Sequence, residues 1–590
     1  SPLLGCAPMR AKLLLGAVVF GVMGAIAACG SGNNGSGFTQ PGGGDGGDHD
    51  GDVLGGEGGI LSGGDGGTKG DGGAIVGDPV NCADAKTSKS YVGCDYWPTV
   101  TANGVWSVFD YAVVVSNVGA TAANVTVSGG ALASPQTATV APGALEKIYL
   151  PWVPALKGGD ADNCGDPPSI TNSVIAAGGG YHLVSSTPVV VYQFNALEYK
   201  GAGGPTGKSW AGAACPGNSQ CNTGPNAGAT VGCFSFSNDA SLLLPSTAMT
   251  LNYRVSGHQG VGSAGSGTNT FFTVTATVDN THVTTQLAPA GSVLASTDNA
   301  IAATAGGSIL KFTLAHAGDV AEVIGTTGAT ADFSGSLVQA DNAIEVITGT
   351  SAVTIPSTTG AADHTEQIVL PAETLGKHYV VSMPDKPGGG IGVGVVRFYG
   401  NEDGTTLTWN GTTPSGCPTA INSGEMKECT IGKVGFTGAV TSSNVEVTGD
   451  KEFGVALFQE GAGAYGIIGS NSEGDPSETV LASVEQYRLK YLFLAPTDYD
   501  QSYADIVGTS DAAPVLDGAP VTATFSTIGS GPYGVWRVTL NGGPKSDGAH
   551  TLTSSSPVGL QVVGYGDYTS YQYPGGLNLN QIAPSPPPPR

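Results

Sequence analysis

The stretch "SSTPVVVYQFN", residues 185–195, sets a short polar step and a proline ahead of a run of β-branched and aromatic residues. The phrase returns three times, as Asp341-Asn342-Ala343-Ile344-Glu345-Val346, Asp450-Lys451-Glu452-Phe453-Gly454-Val455 and Ser555-Ser556-Pro557-Val558-Gly559-Leu560. Runs rich in Val, Ile, Phe and Tyr, bounded by turn residues, read as strands. Side chains alternate along a strand, so Val189 and Val191 point one way and Val190 and Tyr192 the other. The alignment gives Val189, Ile344, Phe453 and Val558 one equivalent buried position. It puts Glu345 on the opposite, exposed face of its strand. Such regular alternation predicts core packing, not catalysis.

Each copy has a partner upstream. Pro98 is followed by Trp106, Pro245 by Tyr253, Pro371 by Tyr379 and Pro496 by Tyr503. Around three of these the text is alike: "SLLLPSTAMTLNYRVS", "EQIVLPAETLGKHYVVS" and "YLFLAPTDYDQSYADIV". Each module is expected to begin with an apolar strand, a proline and an aromatic-led strand, and to end on the polar step and the following strand. Pro is tolerated at a strand start because its missing N–H need not pair. The prediction is an all-β protein of about four tandem antiparallel modules, sandwich-like, with a closed propeller-like arrangement as the alternative. The modules span 82–200, 235–352, 363–465 and 484–580, with a Cys- and Gly-rich insertion at 201–234 and a Pro-rich tail at 581–590.

Composition agrees. Of 590 residues 95 are Gly and only 12% are charged, which disfavours a helical protein. The net charge of −25, with no cluster of Lys and Arg, argues against a nucleic-acid partner.

Arg10 and Lys12 precede an apolar stretch from Leu13 to Ala28, too short for a spanning helix and shaped like a secretory signal. Ile26-Ala27-Ala28-Cys29 then resembles the bacterial lipobox, which implies a lipoprotein signal over 9–29 and lipid on Cys29. Residues 1–8 are expected to lie upstream of the true start. Gly30 after the Cys, rather than Asp, implies the outer membrane. Residues 30–78 are nearly all small and polar, cannot bury a core, and read as a disordered tether. "GGDGGDHD", 43–50, is one copy of a calcium-repeat pattern that needs tandem copies, so it reads as spacer.

Eight cysteines remain once Cys6 and Cys29 are set aside: Cys82, Cys94, Cys164, Cys215, Cys221, Cys233, Cys417 and Cys429. An even number in an exported chain reads as disulfides. Cys82–Cys94 and Cys417–Cys429 pair locally. Cys164, Cys215, Cys221 and Cys233 form a cluster of open connectivity. No CxxC spacing or nearby His suggests zinc, and no metal or cofactor is expected.

"GAGGPTGKSW", 201–210, looks like a phosphate loop, but Ala202 stands where the pattern needs Gly and no helix follows. No GxSxG or HExxH is present, so no catalytic residues are assigned. Asp363-His364 with Glu366 reads as a turn with backbone-capping side chains. Asp498, Asp500 and Asp505 read as loop acids without the spacing of an EF-hand. Asp363, His364, Asp498 and Asp500 are the candidate binding residues.

With those residues in view, the chain resembles the IgGFc-binding protein N-terminal domain, found in mucus-associated animal proteins and many bacterial lipoproteins. The phrases that carry the resemblance are "SYVGCDYWPTV" (90–100), "VVVYQFN" (189–195), "SNDASLLLP" (237–245), "DHTEQIVLPAETLGKHYVV" (363–381) and "YPGGLNL" (573–579). Many members carry Cys just before the Asp-His pair, joined to another shortly upstream; here the position is Ala362, and 350–361 holds no Cys. The antibody-binding label belongs to animal members, and no residue set here carries it over. The resemblance implies a non-enzymatic, surface-exposed protein that binds extracellular glycans or proteins and meets the membrane only through its lipid anchor. A structural coat or matrix component and, less favoured, an exported hydrolase are the alternatives.

Overall fold

The computed structural model describes residues 78–588, apart from 212–213, 223–226, 264–265, 329–330, 359–361, 436–438, 466–472 and 545–546. The signal segment, Cys29 and the tether up to residue 77 lie outside the described residues. The described chain is almost wholly antiparallel β structure. Among the described residues no helix is long and apolar enough to cross a membrane.

The opening phrase marks where one long strand leaves one sheet and enters another. In the strand Tyr181–Asn195, the first half pairs with Gly93–Tyr96 and Ala123–Gly129. The second half pairs with Tyr111–Ser116 and with a closing strand, Ala240–Leu242. Ser185 to Pro188 sit at the change. A proline fits there because a strand leaving its ladder has an N–H to spare. The third sandwich repeats the plan on Val445–Gln459, paired first with Gly376–Val381 and Thr405–Trp409, then with Gly394–Gly400 and the closing strand Glu478–Val480. The fourth does so on Ala549–Gly566, with closing strand Thr569–Pro574. In the second sandwich the strand breaks at the step, into Leu337–Ala340 and Ile344–Val353, with closing strand Asp363–Ile368. The first half of Tyr181–Asn195 alternates between buried and exposed. The second half is buried on both faces because the inner sheet is covered on both sides.

Val189, Ile344, Phe453 and Val558 are all fully buried, and the carbonyl of each accepts a tyrosine hydroxyl. Tyr96 Oη donates to Val189 O at 2.7 Å, Tyr253 Oη to Ile344 O at 2.6 Å, Tyr379 Oη to Phe453 O at 2.6 Å, and Tyr491 Oη to Val558 O. In three sandwiches the same hydroxyl accepts the N–H three residues earlier: Thr250 at 3.0 Å, Gly376 at 3.1 Å and Arg488 at 3.1 Å. The aromatic partners read from the sequence were right for Tyr253 and Tyr379. They are corrected from Trp106 to Tyr96 and from Tyr503 to Tyr491, which precede their prolines. The apolar strands 240–242 and 363–368 also pair backward, into the preceding sandwich, and hand the chain forward at Pro245 and Pro371.

Both sequence-level architectures contribute. The modules are sandwiches, and the sandwiches close into a ring. The closing strands touch in cyclic order: Ala240–Leu242 meets Asp363–Ile368, which meets Glu478–Val480, which meets Thr569–Pro574, which returns to the first. The chain ends seal the junction of the fourth and first sandwiches, with Tyr91 N donating to Leu577 O at 3.3 Å and Leu579 N to Lys89 O at 2.7 Å. The tail then runs onto the second, where Gln339 Nε2 donates to Pro586 O at 3.3 Å. Glu345 is a further correction: it is 1% exposed, because its strand lies in the inner sheet.

Candidate functional site

The centre of the ring is polar. Asp239 opens the first closing strand and is fully buried. Its carboxylate accepts one backbone N–H from each closing strand: Ala240 at 2.8 Å, Glu366 at 3.1 Å, Glu478 at 3.3 Å and Gln572 at 3.4 Å. These four donors are equivalent by register, each facing the fifth residue after the buried position that opens the inner half-strand. Burial pushes the Asp239 carboxyl well up, while the N–H groups of Ala240, Glu366 and Glu478 pull it back.

Asp363 and His364 lie in this interior, both fully buried. They form part of a strand rather than the turn expected for them. The Asp363 carboxyl is held well above its usual range by burial and by Asp475 and Asp239. His364 Nε2 lies 3.4 Å from both Thr101 Oγ1 and Asn195 Nδ2 and 3.8 Å from Glu366 Oε2. Glu366 in turn accepts from Thr101 Oγ1 at 2.8 Å and from Gln193 and Asn195, each at 3.2 Å. These side chains join the first and second sandwiches and are closed to a ligand arriving from solvent.

Asp498 and Asp500 sit elsewhere, where the fourth sandwich meets the first. Asp498 pairs with Lys147 at 2.5 Å, and Asp500 with Lys200 at 3.1 Å and with the Tyr199 hydroxyl. Asp505, read as a loop acid, is instead a buried strand residue held by Arg537 at 2.9 Å. The sequence candidates therefore divide between the interior and a surface seam.

The structure adds a cavity of about 200 Å³ that the sequence did not reveal. Trp106 and Phe236 form its aromatic wall, edge to face at 6.4 Å, and Asp166, Ser235 and Ser237 supply polar groups. Ala362, the position singled out by its missing Cys, lines it too, as does Ala352. Trp106 is fixed by its Nε1–H, which reaches Ala161 O at 3.1 Å and Asp162 O at 3.0 Å. Disulfides Cys164–Cys221 and Cys215–Cys233 hold the surrounding loops and settle the connectivity left open in the sequence. Cys82–Cys94 and Cys417–Cys429 form as expected. An aromatic face beside hydroxyls and a carboxylate suits a small polar group carrying C–H surface, such as part of a sugar ring or an amino-acid side chain.

A family model described as "IgGFc binding protein" matches residues 239–564, over half of the chain. No curated protein sequence matches it. Among solved structures, an anti-sigma factor domain-containing protein from Clostridium clariflavum aligns at 13% identity over 58% of this chain and 93% of its own. Its TM-score of 0.09 carries no argument about fold or function.

Proposed function

The chain belongs to the IgGFc-binding protein family, and from that membership we propose that it is a non-enzymatic binding protein of the cell surface. In this reading Cys29 carries lipid, the outer membrane holds the anchor, and residues 30–78 let the ring reach outward to an extracellular protein or glycan. Family membership is the observation that carries the reading, because the family is one of binding proteins. The aromatic cavity beside the disulfide-held loops supports it as a place where part of such a ligand would seat.

Two measurements test it. Purified 79–583 applied to an array of cell-surface proteins and glycans is expected to retain a discrete set, and Trp106→Ala to weaken that retention. A flat array response would favour a coat or matrix component. Cys29→Ser is expected to release the protein from membranes; a variant that still sediments with outer membranes after a salt wash would overturn the anchor.

A further inference from the structure

Lys208 is the lysine of the stretch that resembles a phosphate loop, where that pattern would turn it toward an anion. It reaches back to the first sandwich instead, where its ammonium pairs with Asp110. Asp110 stands just before the inner strand Tyr111–Ser116, and its N–H donates to Glu198 Oε2 at 2.9 Å. The other oxygen of Glu198, Oε1, lies 4.0 Å from Lys208 Nζ and has no hydrogen-bond partner, although the side chain is only 1% exposed. An amine, a carboxyl carbon and a buried second carboxyl thus converge at one point.

The surroundings partly bury that point, leaving the Lys208 and Asp110 side chains 13% and 22% exposed. Lys208 Nζ lies 4.5 Å from the centre of the Trp210 ring, and Trp210 packs on Phe109 at 5.1 Å. Gly204 packs against the pair from its own loop. Its φ is +77°, and a side chain there would meet Glu198 Oε1 at 2.7 Å and Lys208 Cδ at 2.8 Å. The loop bearing Lys208 is tied down where Gly201 N donates to Cys233 O at 2.8 Å, beside the Cys215–Cys233 disulfide.

We propose that Lys208 and Asp110 condense into an intramolecular amide cross-link, with the carboxylic acid of Glu198 as the catalytic group. Within the ion pair Lys208 passes one ammonium proton to the Asp110 carboxylate; the neutral amine then attacks Cγ of Asp110 while the Glu198 proton is shared with the carboxyl oxygen that takes up charge. Glu198 then passes a proton to the departing hydroxyl, the C–O bond breaks, and it recovers the proton released by the nitrogen. One N–C bond forms, one C–O bond breaks, and one water leaves; starting from the ion pair, no external proton, oxidant or cofactor is needed. Folding supplies the proximity that makes such a step effectively unimolecular. Glu198 is suited to its part because burial and the neighbouring Asp110 push its carboxyl up to about 8, so it carries its proton at neutral pH. The product replaces two partly buried charges by one neutral amide and adds a covalent tie between the insertion and the first sandwich.

The test is mass mapping of the folded, exported full chain after reduction and alkylation. The expected result is a joined species containing the Asp110 and Lys208 peptides, lighter by one water than their sum. Lys208→Arg and Asp110→Ala are expected to abolish it. Asp110→Asn is expected to form the same bond with loss of ammonia instead of water. Glu198→Gln, which keeps shape and both reacting groups, is expected to leave the pair open in a protein of unchanged circular dichroism. Wild-type protein with separate peptides of unmodified mass would reduce the site to an ion pair and overturn the proposal, whatever the variants do. Full linkage in Glu198→Gln would overturn the role given to Glu198.

Discussion

Glu345 buries a carboxyl group beside a single nearby donor, the Thr99 hydroxyl, which is engaged elsewhere. Neither oxygen has a hydrogen-bond partner. The nearby Thr99 hydroxyl is committed to Trp97 O at 3.0 Å and Thr275 Oγ1 at 2.8 Å. Burial, and then repulsion from Glu366, raise the Glu345 carboxyl well above its usual range. Burial likewise raises Glu322, Asp363 and Asp475, and pushes Glu478 up to about 8. A carboxyl whose native pKa lies above its unfolded value contributes stability that is complete below about pH 4 and is lost as pH rises through the native value. Between those limits the native state holds more protons than the unfolded chain, so stability falls with rising pH. The thermal midpoint is therefore expected to rise on going from about pH 8 to about pH 5. Glu345→Gln should flatten that rise and be more stable than wild type at the alkaline end. A midpoint that fell steadily over the same range would contradict the protonated interior. The sequence showed which residues open each half-strand, because size and β-branching mark them. It misplaced Glu345 because alternation identifies two faces but not whether the second is covered by another layer.

At the scale of the element, the tyrosine and the carbonyl just past the polar step form one device used four times. The strand changes sheets at the polar step, where its pairing shifts register beside the first carbonyl of the inner half. The tyrosine hydroxyl donates to that carbonyl and, in three sandwiches, also accepts the N–H three residues before it. Tyr379→Phe keeps the ring and removes both bonds. A buried polar group left without a partner costs about 1–3 kcal/mol, and that is the expected loss in a denaturant titration of the full chain. Phe453→Ala, which empties the buried position beside it, should cost about 3–5 kcal/mol. If Tyr379→Phe were neutral while Phe453→Ala was costly, the hydroxyl would be incidental and packing alone would hold the corner. The strands, the step and the four repeats were legible because patterning and turn residues are local signals. The correct tyrosine was legible in two sandwiches and missed in the others, because the prolines used to align them lie after Tyr96 and Tyr491. A proline marks where a chain turns, not which side chain reaches back across the sheet.

For the whole molecule, the decisive interaction lies in a residue that no local pattern singles out. Asp239 is an acid at the head of an apolar run, "SNDASLLLP". Its weight comes from three strands more than a hundred residues away in the chain, so only ring closure reveals it. The other three sandwiches carry hydroxyl residues at the equivalent position, Thr365, Ser477 and Tyr571; Gln459 N donates to Ser477 O at 3.1 Å just as Asn195 N donates to Asp239 O at 3.1 Å. One carboxyl group therefore serves all four closing strands. Removing it should be felt by every sandwich at once. Asp239→Ala strands four buried N–H groups, each at a cost of about 1–3 kcal/mol with partial relief by relaxation. The expected total is on the order of 4 kcal/mol, at the upper end of single-substitution effects. Asp239→Asn should recover only part of this, because its NH₂ group faces donors. Ser477→Ala is the matched control: its hydroxyl has no hydrogen-bond partner, so its loss should be close to neutral. The measurement is denaturant unfolding of the full chain, followed by tryptophan fluorescence and by circular dichroism. If the ring folds as one unit, both probes should shift together in the Asp239 variants. An Asp239→Ala protein no less stable than Ser477→Ala, or one in which the probes separate while the native midpoint stays put, would mean that the sandwiches stand independently and that the shared carboxyl group does not bind them together.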